Sequence, residues 1–528
     1  MKWIVIGEHK GMIKLVSESK TPGILPKGAY LTIETESNKF ILRVDESDQN
    51  EPYSPSPLVV DMNLNPMSED QKCQNIIYAK RIKDLNERDD GLIDFIKPQL
   101  KARLSNQEEI SLALGNNKKT EGPRVFLSTL HSTRCQVLKD QNNIPVSVNL
   151  PEDLFYHQVL ICGKTGSGKT VASKYLAQYF VEEMEGAVLA INVKDVDFLK
   201  MDKSSKTNNE RIEGEWESLN IGPKGIENLT IYYPANMRIN DSSGVNKELC
   251  RKTTLNVKEI DPEALIGLIR GISDIGAQNL PNIFRHWQED QKNNNSDFTF
   301  SDFIKYFSRG AEDGRRFKTM LSRGEEAGEI TLHSGTYNNI MRNLNRASEF
   351  FDNDDSVALD YSDILYPGKM SVINVAGNKG IEFGSILLRH ILHRIVEAKS
   401  QEKEEAKVPI LIIIDEVHQF YNNESTKEAL GDIDTICRTG RSQKIGVIFS
   451  SQNPNDIPRG LSNVINTKIF FKTDMSSLSS HGISVNKEDL LNLKTGFAVT
   501  SIHNLSQVRN IKFPLSRCGV FEEEVSNG

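Results

Sequence analysis

Residues 158–170 read QVLICGKTGSGKT. Gly163, Gly168, Lys169 and Thr170 fill the pattern G-x-x-x-x-G-K-[ST], and Thr165, Gly166 and Ser167 lie inside it. Glycines allow the backbone to curl until its N–H groups converge on phosphate oxygens, and a helix that starts there adds partial positive charge. Lys169 would reach the β- and γ-phosphates of ATP, and the Thr170 hydroxyl would hold Mg²⁺. The flanks agree with that chemistry. Val159 to Cys162 is an apolar run that reads as a buried strand, and VASKYLAQYFVEEM places Val171, Tyr175, Tyr179 and Val181 near helical spacing.

Hydrolysis needs carboxylates as well, and PILIIIDEVHQF offers two at the end of a continuous apolar run. Such a run suits a central strand buried on both faces, with Asp415 at its C-terminal end, where open α/β sheets bind ligands. Asp415 is assigned to the Mg²⁺ shell, through water, and Glu416 to the attacking water. A following strand, KIGVIFSSQNP, ends in Ser450, Ser451 and Gln452. A polar side chain there, beside the acid pair, is expected to sense the γ-phosphate; the plainer alternative is a polar cap on the turn before Pro454. Between these strands, DTICRTGRSQK clusters Arg438, Arg441 and Lys444. The cluster is either a solvated basic face or the source of an arginine finger given to a neighbouring subunit, with Arg438 and Arg441 both open as the finger.

The elements that must hold these groups fall into blocks. Residues 1–150 look β-rich: KWIVIG, MIKLVS, AYLTIET, KFILRV, RVFLST and RCQVLK are short, β-branched runs, several of them separated by turn-like stretches. They suit a small barrel or sandwich, interrupted by a charged helical stretch at roughly Glu69 to Asn86. From about Pro151 strands alternate with helices, as in a parallel sheet with crossovers. Residues 151–254 and 351–519 are read as the two parts of an ATPase core, 255–350 as a helical insertion between them, and 520–528 as a loose acidic tail. The length of 528 residues is consistent with two to four domains. The six cysteines form no C-x-x-C pair, so no zinc or redox motif is legible, and reduced thiols in a cytoplasmic protein are expected. No apolar run approaches 18 residues and no signal peptide is visible, which argues against a membrane-anchored motor. A net charge of −8 argues against an outer surface coated in nucleic acid, but leaves room for a basic channel inside a ring.

Taken together, CGKTGSGKT, IIIDEVHQF and above all RTGRSQKIGVIFSSQNPNDIPRGLSNVINTKIFFKT resemble the HerA family of DNA-translocating ATPases, within the FtsK–HerA group. The resemblance covers most of the chain, and the closing TGFAVTSIHNLSQVRNIKFPLSR resembles the family's final strands. It implies an α/β fold: a RecA-like P-loop core of the additional-strand, catalytic-glutamate type, with an N-terminal small β-barrel and a helical insertion. It further implies a homohexameric ring that pulls duplex DNA through its centre. Carried over by position, Lys169 and Thr170 are the phosphate and metal residues, Glu416 the catalytic acid and Gln452 the sensor, with Arg438 and Arg441 the residues acting in trans. The implied partner is a NurA-like nuclease, for end resection, or an antiphage effector, docked on the N-terminal domain. Many relatives carry an acidic residue where this chain has Asn192; Asp195 and Asp197 lie just beyond and could substitute, in a lysine–aspartate pattern. His157 sits where relatives often place a basic residue. DNA-tracking loops are expected to carry lysines for sequence-independent phosphate contacts, and 199–211 and 376–383 are the two candidates. A competing function is an assembly scaffold whose ring organises effectors and whose hydrolysis is a switch.

Overall fold

The computed structural model describes residues 3–17, 24–50, 74–86, 93–115, 122–132, 134–194, 197–237, 243–268, 279–294, 297–376, 380–401, 403–420, 440–457, 464–473, 487–505 and 507–521. Six strands close a barrel: β1 (Trp3–His9), β2 (Met12–Ser17), β3 (Tyr30–Glu34), β4 (Lys39–Asn50), β5 (Gln74–Asp84) and β6 (Lys101–Leu104), in the order β1-β2-β5-β4-β3-β6. Closure removes the unpaired edges that a small sheet would expose, and Trp3, Val5, Leu15, Leu31, Phe40 and Ile77 fill the interior. The helix expected at roughly Glu69 to Asn86 is replaced by β5 wherever that stretch is described. Its charges mislead because they occupy the outward positions: Ile77 and Ala79 are buried while Lys80 and Lys83 are exposed, and Arg81 lies over the Phe40 ring.

The strands that follow belong elsewhere. β7 (Arg124–His131), β8 (Arg134–Val137) and β9 (Ser147–Asn149) were grouped with the barrel by their sequence texture, but they pair at one end of a second, 14-stranded sheet. Its remaining members are β10 (Gln158–Cys162), β11 (Ala187–Asn192), β12 (Leu229–Pro234), β13 (Cys250–Thr254), β16 (Val357–Ala358), β17 (Met370–Asn374), β18 (Ile410–Ile414), β19 (Ile445–Ser451), β20 (Thr467–Phe470), β21 (Phe497–Ser501) and β22 (Asn510–Lys512). The order is β16-β13-β12-β17-β11-β18-β19-β10-β20-β21-β22-β7-β8, with β9 on β7. The pairs from β16 to β20 are parallel and those beyond β20 antiparallel. Every residue of β10, β11, β17, β18 and β19 is buried, the continuous burial expected of parallel strands covered on both faces.

Between β13 and β16 sits the insertion. The helices Leu280–Asn293, Phe300–Arg309 and Ser334–Ala347 pack Phe284, Trp287, Phe303, Phe307 and Tyr337 together. A hairpin of β14 (Arg316–Met320) and β15 (Glu326–Thr331) interrupts the expected, mostly helical block. Most of β15 is exposed, so its polar texture carried no inward-facing alternation to betray it. The chain end is held too. Residues 203–206 bond to 517–520, with Gly519 N–H donating to Lys203 O at 2.9 Å and Ser205 N–H to Arg517 O at 2.9 Å, and Phe521 bridges to Lys206. Val520 and Phe521 are therefore not part of a loose tail; 522–528 lie outside the described residues. Among the described residues no helix is long and apolar enough to cross a membrane.

Candidate functional site

The glycine loop leaves β10 and enters the helix Lys169–Glu182. Gly166 (φ +75°) and Gly168 (φ +109°) adopt backbone that L side chains rarely enter, and a Cβ at Gly163 would come within 2.8 Å of both Phe471 and Ser167. Gly168 caps the helix without a side-chain bond, so its first N–H groups stay open to an anion. Ser167 Oγ is buried with no hydrogen-bond partner among the described residues. The loop is braced from two sides: Lys164 N–H donates to Lys472 O at 2.8 Å and Gly496 N–H to Ser167 O at 2.9 Å, while Thr495 Oγ1 donates to Gly166 O at 3.2 Å. Beside it runs a cleft of about 590 Å³ lined by residues including Lys164, Thr165, Ser167, Lys472 and Lys494. Lys169 is buried, and burial pulls its ammonium below the usual lysine range, against the nearby charges of Glu416 and Asp415. Its Nζ donates to Lys164 O at 3.2 Å, curled back over the loop.

The acids sit one strand removed. β19 lies between β10 and β18, so Asp415 and Glu416 emerge from the C-terminal end of β18 on the same edge as the loop. Both are buried. Burial, then the charges of Glu416 and Asp197, push the Asp415 carboxyl up. Glu416 takes the left-handed conformation (φ 45°, ψ 51°), an uncommon choice for a non-glycine residue. Burial alone would raise its carboxyl. Hydrogen bonds from Lys194 and Gln452, with the charges of Lys194 and Lys169, outweigh burial and hold it below the ordinary carboxylate value. Gln452 follows β19 directly, and its Nε2 donates to Glu416 Oε1 at 3.1 Å and Oε2 at 3.3 Å. Lys194 Nζ donates to Oε1, and His418 Nδ1 stands 3.3 Å from Oε2.

Lys169, Asp415, Glu416 and Gln452 are thus gathered as their spacing led one to expect, with Thr170 in the first turn of the loop helix. Arg441 is not among them. It precedes β19, at the N-terminal edge of the sheet, exposed and 3.9 Å from Asp153. Arg438 lies outside the described residues, as does Asp195. His157, at the entry to β10, packs its ring on His503 at 4.6 Å between centroids; burial, with the charges of His503 and Arg441, lowers its pKa. Asn192 is structural. Wholly buried, it donates to Asn374 Oδ1 at 2.9 Å and accepts from Phe198 N–H at 3.0 Å. Of the two candidate DNA loops, the first is pinned through residues 203–206 to the chain end, and 377–379 of the second lie outside the described residues. Sequence reasoning missed Lys194. The lysine–aspartate pattern was visible, but attention went to its aspartates.

A glycine loop on one strand, two acids on another and a polar-tipped strand between them define a P-loop nucleoside triphosphatase with a RecA-like core of the additional-strand type. The model for the central domain of the helicase HerA matches residues 136–395. Two curated relatives are DNA double-strand break repair helicases HerA. That of Sulfolobus acidocaldarius is 22% identical over 465 residues, 84% of this chain and 78% of its own length. That of Sulfurisphaera tokodaii is 29% identical over 133 residues, 24% of this chain and 26% of its own length. Solved structures resembling this one include VirB4 of Thermoanaerobacter pseudethanolicus, at 13% identity and TM-score 0.45 over 75% of this chain and 97% of that one. The chain is thus similar to the HerA family, by the model over its central part and by the Sulfolobus acidocaldarius relative over most of its length.

Proposed function

We propose that this protein is an ATP-driven DNA translocase or helicase. It works as a homohexameric ring on duplex DNA and feeds or remodels that DNA for a second protein, a NurA-like nuclease or an antiphage effector docked on the N-terminal barrel. The observation that carries the reading is the convergence of Lys169, Asp415, Glu416 and Gln452 on one sheet edge while Arg441 stands at the other.

In this reading the loop amides and Lys169 bind the triphosphate of ATP, and the open helix N-terminus and the unpartnered Ser167 hydroxyl fit that role. Thr170 and Asp415 would hold Mg²⁺, Asp415 through water. Both offer the oxygen ligands this ion prefers, and among the described residues no cluster of three or more His, Cys, Asp or Glu could hold a metal unaided, so nucleotide oxygens would complete the shell. Bound Mg²⁺ would supply neutralisation of the charge on the triphosphate. Glu416, ionised at neutral pH, accepts a proton from water as the water oxygen attacks the γ-phosphorus. The bond to the β–γ bridging oxygen breaks, leaving ADP and phosphate. Gln452 links the γ-phosphate to Glu416, and an arginine from the adjacent protomer, Arg441 or Arg438, offsets charge in the transition state.

The test is ATP hydrolysis by the full chain with and without duplex DNA. Stimulation by DNA, lost in Glu416→Gln together with hydrolysis, is expected. Hydrolysis indifferent to DNA would overturn the motor and leave a scaffold with a nucleotide switch.

A further inference from the structure

Glu416 is held back by its neighbours. Its Oε1 receives Lys194 and Gln452, its Oε2 receives Gln452, and His418 stands beside Oε2. Both lone-pair sites of Oε1 are therefore taken, a water is left to Oε2 alone, and the charge of Lys194 makes the carboxylate a weaker base. Among the basic groups beside Glu416, Lys194 is the most exposed: its side chain is 39% exposed, against 33% for His418 and 3% for Glu416 itself. The backbone on its N-terminal side is anchored, because Asn192 accepts from Phe198 N–H and donates to Asn374 at the end of β17. Lys194 bonds a carboxylate at the C-terminal end of β18, on the sheet edge that also carries the glycine loop, so it shares the edge where Lys169 would receive a γ-phosphate. A γ-phosphate carries more charge than one carboxylate and competes for the same cation.

We infer that Lys194 is a latch on Glu416 that answers to the γ-phosphate. Without a triphosphate it occupies Oε1; when the γ-phosphate arrives beside Lys169 it transfers to that phosphate, and Glu416 is free to hold the attacking water. After phosphate leaves, the pair reforms. Hydrolysis thus waits for a complete triphosphate, and ADP leaves the carboxylate locked. The other charged groups facing Glu416 are Lys169, His418 and, on the same edge, Asp415; Asp456 lies 3.8 Å from His418. None of these is as exposed as Lys194. This inference rests on the nucleotide-hydrolase reading above.

The experiment compares wild type, Lys194→Met and Lys194→Arg as full-length protein, with ADP and a non-hydrolysable ATP analogue in binding and Mg·ATP in turnover. A charge-assisted bond to the γ-phosphate that ADP cannot make is worth about a tenfold or greater preference for the analogue. Lys194→Met is expected to lose that factor and Lys194→Arg to keep most of it. An unchanged preference in Lys194→Met overturns the latch, and so does a Lys194→Arg no better than Lys194→Met. A wild type that binds neither nucleotide sinks the hydrolase reading and the latch with it; a wild type that binds and turns over ATP, beside a Lys194→Met that keeps its preference, sinks the latch alone.

Discussion

Mixing two inactive variants tests whether the active site is divided between protomers. β19 runs seven residues from Ile445 to Ser451, Gln452 follows it at the nucleotide edge, and Arg441 precedes it at the far edge. At a rise of about 3.3 Å per residue the strand alone separates these ends by roughly 20 Å. An arginine side chain spans only a fraction of that, so Arg441 cannot reach the triphosphate of its own protomer. If it acts at all it acts on a neighbour's. Arg441→Ala should then lower turnover by about 10³-fold or more, and Glu416→Gln should be comparably inactive, while each retains half of an intact site. In a head-to-tail ring assembled at random from equal parts of the two, roughly one site in four draws Glu416 from one copy and Arg441 from the next. Steady-state hydrolysis should recover to at most about a quarter of wild type, and only after subunits have exchanged. Arg438→Ala is run alongside. A mixture no faster than its components, or an Arg441→Ala that turns over within tenfold of wild type, would refute the assignment of Arg441. If Arg438→Ala were also active, the shared pocket itself would be refuted.

Two further outcomes follow from packing. Asn192→Leu strands Phe198 N–H beside a wholly buried position and leaves Asn374 Oδ1 only the longer bond from Ala376 N–H at 3.4 Å; at about 1–3 kcal/mol for the stranded amide, thermal unfolding should fall by a few degrees, while an Asn192→Leu as stable as wild type would show that the turn carrying Lys194 is not anchored there. A Cβ at Gly446 would lie 1.9 Å from Phe155 O, so Gly446→Ala must push β19 away from the turn Glu152–Tyr156 at a cost of about 1–3 kcal/mol. Because the clash is at the Arg441 end, nucleotide affinity should survive and turnover fall, and equal loss of both in titration calorimetry and phosphate release would contradict that separation.

What was legible in the sequence was what local chemistry dictates. Gly163, Gly168, Lys169 and Thr170 can be placed from spacing alone because a phosphate cradle tolerates little variation, and ILIIIDE announces both a doubly covered strand and its acids. The barrel was legible as a class of architecture but not in its membership. β7 and β8 look like barrel strands because β-branched texture says that a residue is in a sheet and not in which sheet. β5 was hidden by lysines on its outer face, and β15 by a strand with almost no buried face to alternate. Lys194 was hidden for a different reason. Its partner is 222 residues away in the chain, and no periodicity records a contact made only when β11 and β18 lie side by side. Asn192 was read as a departure at a functional position, and it is the hydrogen-bonded anchor of the turn that carries the functional lysine.

The placement of β19 gives these separate observations a common consequence. All seven of its residues are buried, and it is paired on one side with β18, which ends in Asp415 and Glu416, and on the other with β10, which feeds the glycine loop. Gln452, bonded to Glu416, and Arg441, out of reach of it, are therefore the two ends of one packed bar. A close-packed interior does not bend to accommodate a shift at one end. If Gln452 is re-seated when Lys194 releases Glu416, the displacement can be absorbed in the exposed turn after Ser451 or carried along β19 to Arg441, and those alternatives differ in what the proposed ring would do. Absorption would give sites that fire independently. Transmission would make a neighbour's transition-state charge depend on whether this protomer holds a triphosphate, which is the order a ring needs if it is to move DNA in one direction.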